Sequence, residues 1–230
     1  MSMTRTLLVL CILMIPGPLA AQSQDPAQDF ASPPGLPTIG KWMLTAQDVP
    51  SDWLGEIYHG RHLREPINVI IVDAEAANAA EAKARLIAAA AHAGYAIRLG
   101  HSAGYQGLIA GQLYAQLPQG WDDAFSNEVF EISNNHGRIF GPHRFDQGFV
   151  FTAAFSREVV DPFRWPGHRF GSFNQARDDF AERLNRLTAY KAQDAVDLDN
   201  AITDNPELTT GDHDGRAMVL RAGPQSLTQP

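Results

Sequence analysis

Residues 67–72 read Ile-Asn-Val-Ile-Ile-Val, a nearly unbroken β-branched run. A strand with one wet face alternates polar and apolar residues, and this one does not. It predicts a strand buried on both faces, and so a sheet with material stacked on each side. Asp73 follows as a candidate helix cap, and Gly94 as the residue that ends that helix in a left-handed turn. Between them Ala79, Ala82, Leu86, Ala90 and Ala93 recur at helical spacing, and Tyr95 to Leu99 reads as the next strand. If that strand were parallel to the first, the crossover would be right-handed.

Further along, three strands are expected over 128–133, 138–140 and 148–155. Asn134-Asn135-His136-Gly137 joins the first two, and the reversals at Gly141-Pro142 and Asp146-Gln147-Gly148 join the second pair. In the third, Phe149, Phe151, Ala153 and Phe155 share one face, and Val150, Thr152 and Ala154 the other. Trp121, Phe125, Phe130 and Phe140 join these phenylalanines as the expected core. Ser172 with Gln175 forms a capping box for a second helix. Its apolar stripe is Phe173, Ala176, Phe180, Leu184 and Leu187, and Arg177 is assigned to the wet side. The fold class expected is α+β, a mixed sheet with a C-terminal antiparallel meander and two main helices packed on one face.

The N-terminus constrains location. Arg5, the apolar stretch Leu7 to Ile15 and the Leu19-Ala20-Ala21 site have the three-part layout of a secretory signal. The apolar stretch is shorter than the roughly 20 residues of a membrane-spanning helix, although an uncleaved anchor is the other reading. The expected organisation is a signal over 1–21, a Pro/Gln-rich linker over 22–40, an α+β domain over 41–191 and a polar, partly disordered tail over 192–230. The expected location is periplasmic or secreted, with no transmembrane span in the mature chain. Cys11, the only cysteine, falls inside the signal, so thiolate chemistry and disulfides are excluded downstream. A net charge of −8 argues against nucleic acid as a partner.

The densest polar cluster is Asn135, His136, Arg138, His143 and Arg144. With Ser156, Arg157, His168 and Arg177 it could build an anion-binding cleft, because guanidinium forks match phosphate and carboxylate. His136 and His168 are the candidate acid–base groups, since imidazole titrates near neutral pH. The same His136 and Arg138 would equally suit a structural task, holding a hairpin together. Trp165, in a loop of large side chains, could rim a pocket. His59 and His62 flank a glycine, and His136 and His143 could meet across a hairpin. Neither pair has an evident third ligand, so neither a metal nor another cofactor is predicted. Gly100-His101-Ser102-Ala103-Gly104 lacks the ending of a phosphate loop and reads as a turn.

Several segments, taken in order, resemble the LssY C-terminal domain family. Arg64-Glu65-Pro66-Ile67-Asn68-Val69 is similar to its DP-(I/L)-N-(L/V) strand start, and Asp123-Ala124-Phe125 to its D-x-A-F segment. Asn135-His136-Gly137-Arg138-Ile139-Phe140 resembles its N-H-x-R-(L/F)-W strand, with Phe140 in place of Trp. Residues 149–158 resemble its VWVGxxSRD strand at Ser156 and Arg157, and His168 with Ala176-Arg177 its closing H…D…AR. Where that family often carries acids before the final pair, this chain has Phe170-Gly171-Ser172-Phe173. The resemblance spans about residues 60–190. It implies a domain that accompanies lipid-phosphatase-like or DedA-like membrane proteins, and no particular activity.

Two functions follow as expectations. One is an envelope module that binds a small anionic ligand or a membrane-protein partner. The other is a phosphoester-type hydrolase, which requires His136, Arg157 and His168 to converge in one pocket.

Overall fold

The structure is a computed structural model and describes residues 29–117, 123–163 and 167–223. The expected signal over 1–21, Trp121 and Trp165 lie outside the described residues. The first strands are β1 (Phe30–Ala31), β2 (Ile39–Gly40), β3 (Asp52–Tyr58), β4 (Arg61–Arg64) and β5 (Val69–Asp73). Helix α1 (Ala79–His92) follows, then β6 (Ala96–Arg98), β7 (Gln106–Ile109), β8 (Gln112–Leu117) and β9 (Ala124–Ser126). The long strands β10 (Asn134–Phe145) and β11 (Gly148–Val160) precede β12 (His168–Ser172) and α2 (Phe173–Leu187). The chain closes with β13 (Lys191–Ala192), β14 (Val196–Asp197), β15 (Leu208–Thr209) and β16 (Arg216–Ala222).

The result is a curled, mixed sheet with two helices, within the α+β class. Its backbone runs β1-β2-β7-β8-β10-β11-β5-β16-β13, and a separate small sheet runs β15-β4-β3. Every residue of β5 is buried, as a two-faced strand must be. One core cluster joins Val69, Ile71, Phe151 and Phe155 to Leu86 of α1 and Phe180 and Leu184 of α2. The opposite cluster joins Ile70, Val72, Phe140 and Val150 to Ile39 of β2 and Ile109 of β7. The alternation read in residues 149–155 therefore divides the two cores, and Phe140 belongs to the second.

Several expected boundaries are corrected. Residues 128–133 are turns, and Asn134 to Gly137 lies inside β10 instead of joining two strands. The composition suited a turn, but Gly137 serves a close approach: a Cβ there would lie 2.5 Å from the Phe155 ring. At Gly141-Pro142 the strand shows a register irregularity and continues to Phe145; the reversal comes at Asp146-Gln147. The N-cap of α1 is Asn78, whose side chain accepts from Glu81 N. Asp73 instead binds the amides of Glu75 and Ala76, the Arg85 guanidinium and the Tyr190 hydroxyl. Gly94 does follow the helix with φ of 86°. Ser172 caps α2 by accepting from Gln175 N. Strand β6 pairs antiparallel with β9, and the parallel neighbour of β5 is β16.

Both flanks taken for linker and tail carry strands. Within 22–40, β1 and β2 extend the sheet through β7. Within 192–230, β16 lies between β5 and β13. The polarity of each flank as a whole misled, because it hid short buried runs such as Ile39–Gly40 and Ala217–Leu220 within it. Among the described residues no helix is long and apolar enough to cross a membrane.

Candidate functional site

Strands β10 and β11 pair in register, Asn134 with Glu158, Asn135 with Arg157, His136 with Ser156 and Arg138 with Ala154. Side chains alternate faces along a strand, and paired residues share a face. Residues 134, 136, 138, 156 and 158 therefore point one way, and 135 and 157 the other.

On the first face lies a cavity of about 200 Å³. Its polar lining is His136, Arg138, Glu158, Glu65, His101 and Ser102, and its apolar lining includes Trp53, Tyr105 and Phe130. The small sheet covers this face: Trp53 of β3 donates its indole N–H to Ser156 Oγ at 3.0 Å. The loop after β6 delivers His101 and Ser102. Gly100 has φ of 98°, and a Cβ there would lie 2.8 Å from Phe130 Cβ, so only glycine lets this loop press on Phe130.

Hydrogen bonds orient the lining groups. Asn134 Nδ2 donates to Glu158 Oε1 at 2.6 Å, which leaves Asn134 Oδ1 to accept from His136 Nδ1 at 3.0 Å. That assignment puts the His136 proton on Nδ1 and the lone pair on Nε2, which is 3.5 Å from Ser156 Oγ. Arg138 Nη2 donates to Ser102 O and Oγ at 3.0 and 3.2 Å, and its guanidinium carbon lies 5.1 Å from the Tyr105 ring centre. Glu65 accepts from Ser51 Oγ at 2.6 Å. The His101 and His136 rings lie 4.5 Å apart, and His168 packs on Phe130 at 4.6 Å.

Burial shifts the proton affinities of these groups. It holds His136 well below its usual pKa, assisted by the charge of Arg138. Burial, again with Arg138, brings His101 down to about 4. The same desolvation raises Glu65 and Glu158, against the opposing pull of Arg138 on both. Four buried atoms around this site have no hydrogen-bond partner: His101 Nε2, Arg138 Nε, and both ring nitrogens of His168.

The remaining expected residues are elsewhere. Asn135 and Arg157 bond each other at 3.0 Å on the helix side, where Asn135 also donates to Asp179 of α2. Arg138 and Arg157 therefore stand on opposite faces, because Arg157 pairs with Asn135, an odd number of residues from Arg138 on β10. The convergence of His136, Arg157 and His168 that the hydrolase reading requires does not occur. Arg177 is buried rather than wet, in an ion pair with Asp214 and bonded to Arg216 O. Ser156 is buried behind the cavity wall. His143 and His136 lie on the same strand, so they cannot face each other; His143 bonds Tyr114 instead. Arg144 lies 5.2 Å from the Phe149 ring centre, near the far end of β10. His59 sits in the β3–β4 turn, and His62 lies 3.6 Å from Asp52.

Sequence reasoning missed His101, Glu65 and Glu158. Glu158 was within reach, since it is two residues beyond Ser156 and so on the His136 face. His101 carried no signal, because a loop has no period. No family model, curated protein or solved structure matches this chain.

Proposed function

We propose that this protein is an exported binding module that takes a small anionic group, such as a phosphate or carboxylate, into the cavity between Arg138 and Trp53. The observation that carries the reading is the set of buried polar atoms left without partners around that cavity. A native protein pairs nearly all such atoms with protein, water or a ligand, and two of these, His101 Nε2 and Arg138 Nε, belong to side chains that line the cavity. Arg138 supplies the fixed charge, and its free Nε is a donor ready for an anion oxygen. The neutral histidines can donate or accept beside it. Trp53, Tyr105 and Phe130 exclude water and would strengthen each polar contact.

The secretory layout of the N-terminus supports a periplasmic or secreted location. The resemblance to the LssY C-terminal domain family supports a task at the cell envelope, where a membrane-protein partner could present the ligand. With Arg157 and Arg177 engaged on the helix side, the anion reading rests on Arg138 alone among the arginines proposed for it.

The test is thermal stability of the full chain with inorganic phosphate and with small phosphorylated or carboxylated compounds, with and without a divalent cation. Saturable stabilisation is expected, because a ligand that binds only the native state stabilises it by mass action, by about 2.7 kcal/mol at one hundred times Kd. Arg138→Met should abolish the response. A full panel with no stabilisation in either condition would remove the reading.

A further inference from the structure

We infer that His101, His136 and Glu158 form a binding site for one divalent transition-metal ion of the zinc or iron type. Each residue offers one ligand atom, and the three atoms lie within 4.8 Å of one another. Metal–ligand bonds of about 2.0–2.2 Å bring donor atoms to roughly 3 Å apart. Small rotations of three side chains would close the set. Two nitrogens and one carboxylate oxygen suit zinc or iron(II), and are a poor match for calcium or magnesium, which take oxygen.

A second observation is independent of this spacing. His101 is buried, lines the cavity, and leaves its Nε2 without a partner. A buried nitrogen in that state is costly unless something binds it. Support around the site fits the same use. Asn134 bonds both His136 and Glu158, and such an outer group fixes the orientation of two ligands together. Two of the three ligands sit on paired strands, which hold positions more tightly than loops do.

The same lining holds Glu65 and the guanidinium of Arg138. A divalent ion on the three ligands would face a bound anion together with Arg138. The inference thus deepens the anion reading, on which its place in the protein's function rests, although the metal site itself can be tested alone.

The full chain, stripped with EDTA and desalted, is titrated with Co²⁺ and then Zn²⁺. A visible d–d band that saturates at one Co²⁺ per chain and is displaced by Zn²⁺ is expected. His101→Gln, His136→Gln and Glu158→Gln should each weaken Co²⁺ binding by roughly 100-fold or more. His213→Gln, a buried histidine elsewhere, should leave it unchanged. Absence of saturable binding, or binding unaltered in all three variants, overturns the site. Should a variant fail to fold, histidine-labelled wild-type chain is followed by nitrogen NMR. Zn²⁺ must then shift the His101 and His136 ring nitrogens, and shifts confined to His59 and His62 overturn the inference. Phosphate stabilisation in EDTA with no Co²⁺ site removes the metal and leaves the anion reading standing. A Co²⁺ site without any anion response upholds the metal and removes that reading.

Discussion

Gly137 is the residue on which the β10–β11 pairing closes most tightly, because the Phe155 ring occupies the space a Cβ would need. Gly137→Ala should cost about 1–3 kcal/mol, the usual range for overpacking a close-packed core, read by urea denaturation. An unchanged midpoint would mean that the ring has room to move. His213 offers a separate handle. Burial brings its pKa down to about 4, with the charge of Arg177 in the same direction and Asp214 and Asp212 opposing. Its Nε2 bonds Asn200, and its ring faces Phe173. The unfolded chain takes up this proton near pH 6.5 and the folded chain only near 4. Stability contributed by neutral His213 is therefore whole above pH 6.5 and falls as pH drops toward 4, by up to about 3 kcal/mol. His213→Gln should flatten that part of the stability–pH curve, and an identical slope in the variant would contradict the assignment. At this scale the site was half legible. Two-residue alternation puts His136 and Arg138 on one face, whereas the face of Arg157 is set by the β10–β11 register, which pairs it with Asn135. His101 reaches the cavity through a loop, whose course depends on what Phe130 and Gly100 do together.

The joint between β5 and α1 shows how one polar group organises two elements. Asp73 is buried at the end of a strand of apolar residues. Burial alone would raise its pKa, but hydrogen bonds from Arg85, Tyr190 and two backbone amides outweigh it and hold the carboxylate below its usual range. Asp73→Ala would leave Tyr190 OH and two amides without their acceptor, and Arg85 without its buried counter-charge. It should cost roughly 3–5 kcal/mol, measured by chemical denaturation; a loss under 1 kcal/mol would show that water replaces the carboxylate. Helices and long strands were readable here because burial imprints a period: Leu86, Phe180 and Leu184 all lie in the core they were patterned for. Both Asp73 and Asn78 are good cap residues, and the signal that separates them is Glu81, three residues after Asn78, where Asp73 has Ala76. Turn-like composition misled at residues 134–137 for a related reason. Glycine serves tight packing and tight turning alike.

For the molecule as a whole, the strands near the two chain ends matter most. β16 lies between β5 and β13, and its residues 218–222 pair with 69–73. A chain ending at residue 191 should therefore fail to fold cooperatively, seen as a broad melt in far-UV circular dichroism and rapid proteolysis. A sharp, native-like transition would restore the reading of 192–230 as a polar, partly disordered tail. The polar, acidic residues that precede it concealed β16, although its own run Ala217 to Leu220 is apolar and packs into both cores.

The same pairing has a temporal side. Met218 lies 149 positions after its partner Val69, so β5 is synthesised long before its neighbour exists. Contacts this far apart in sequence make folding slow. Until the closing strand emerges, the edge of β5 that β16 will pair with stays open. The β5–β16 edge can therefore close only after β16 has been made, which makes this pairing one of the most non-local in the sheet.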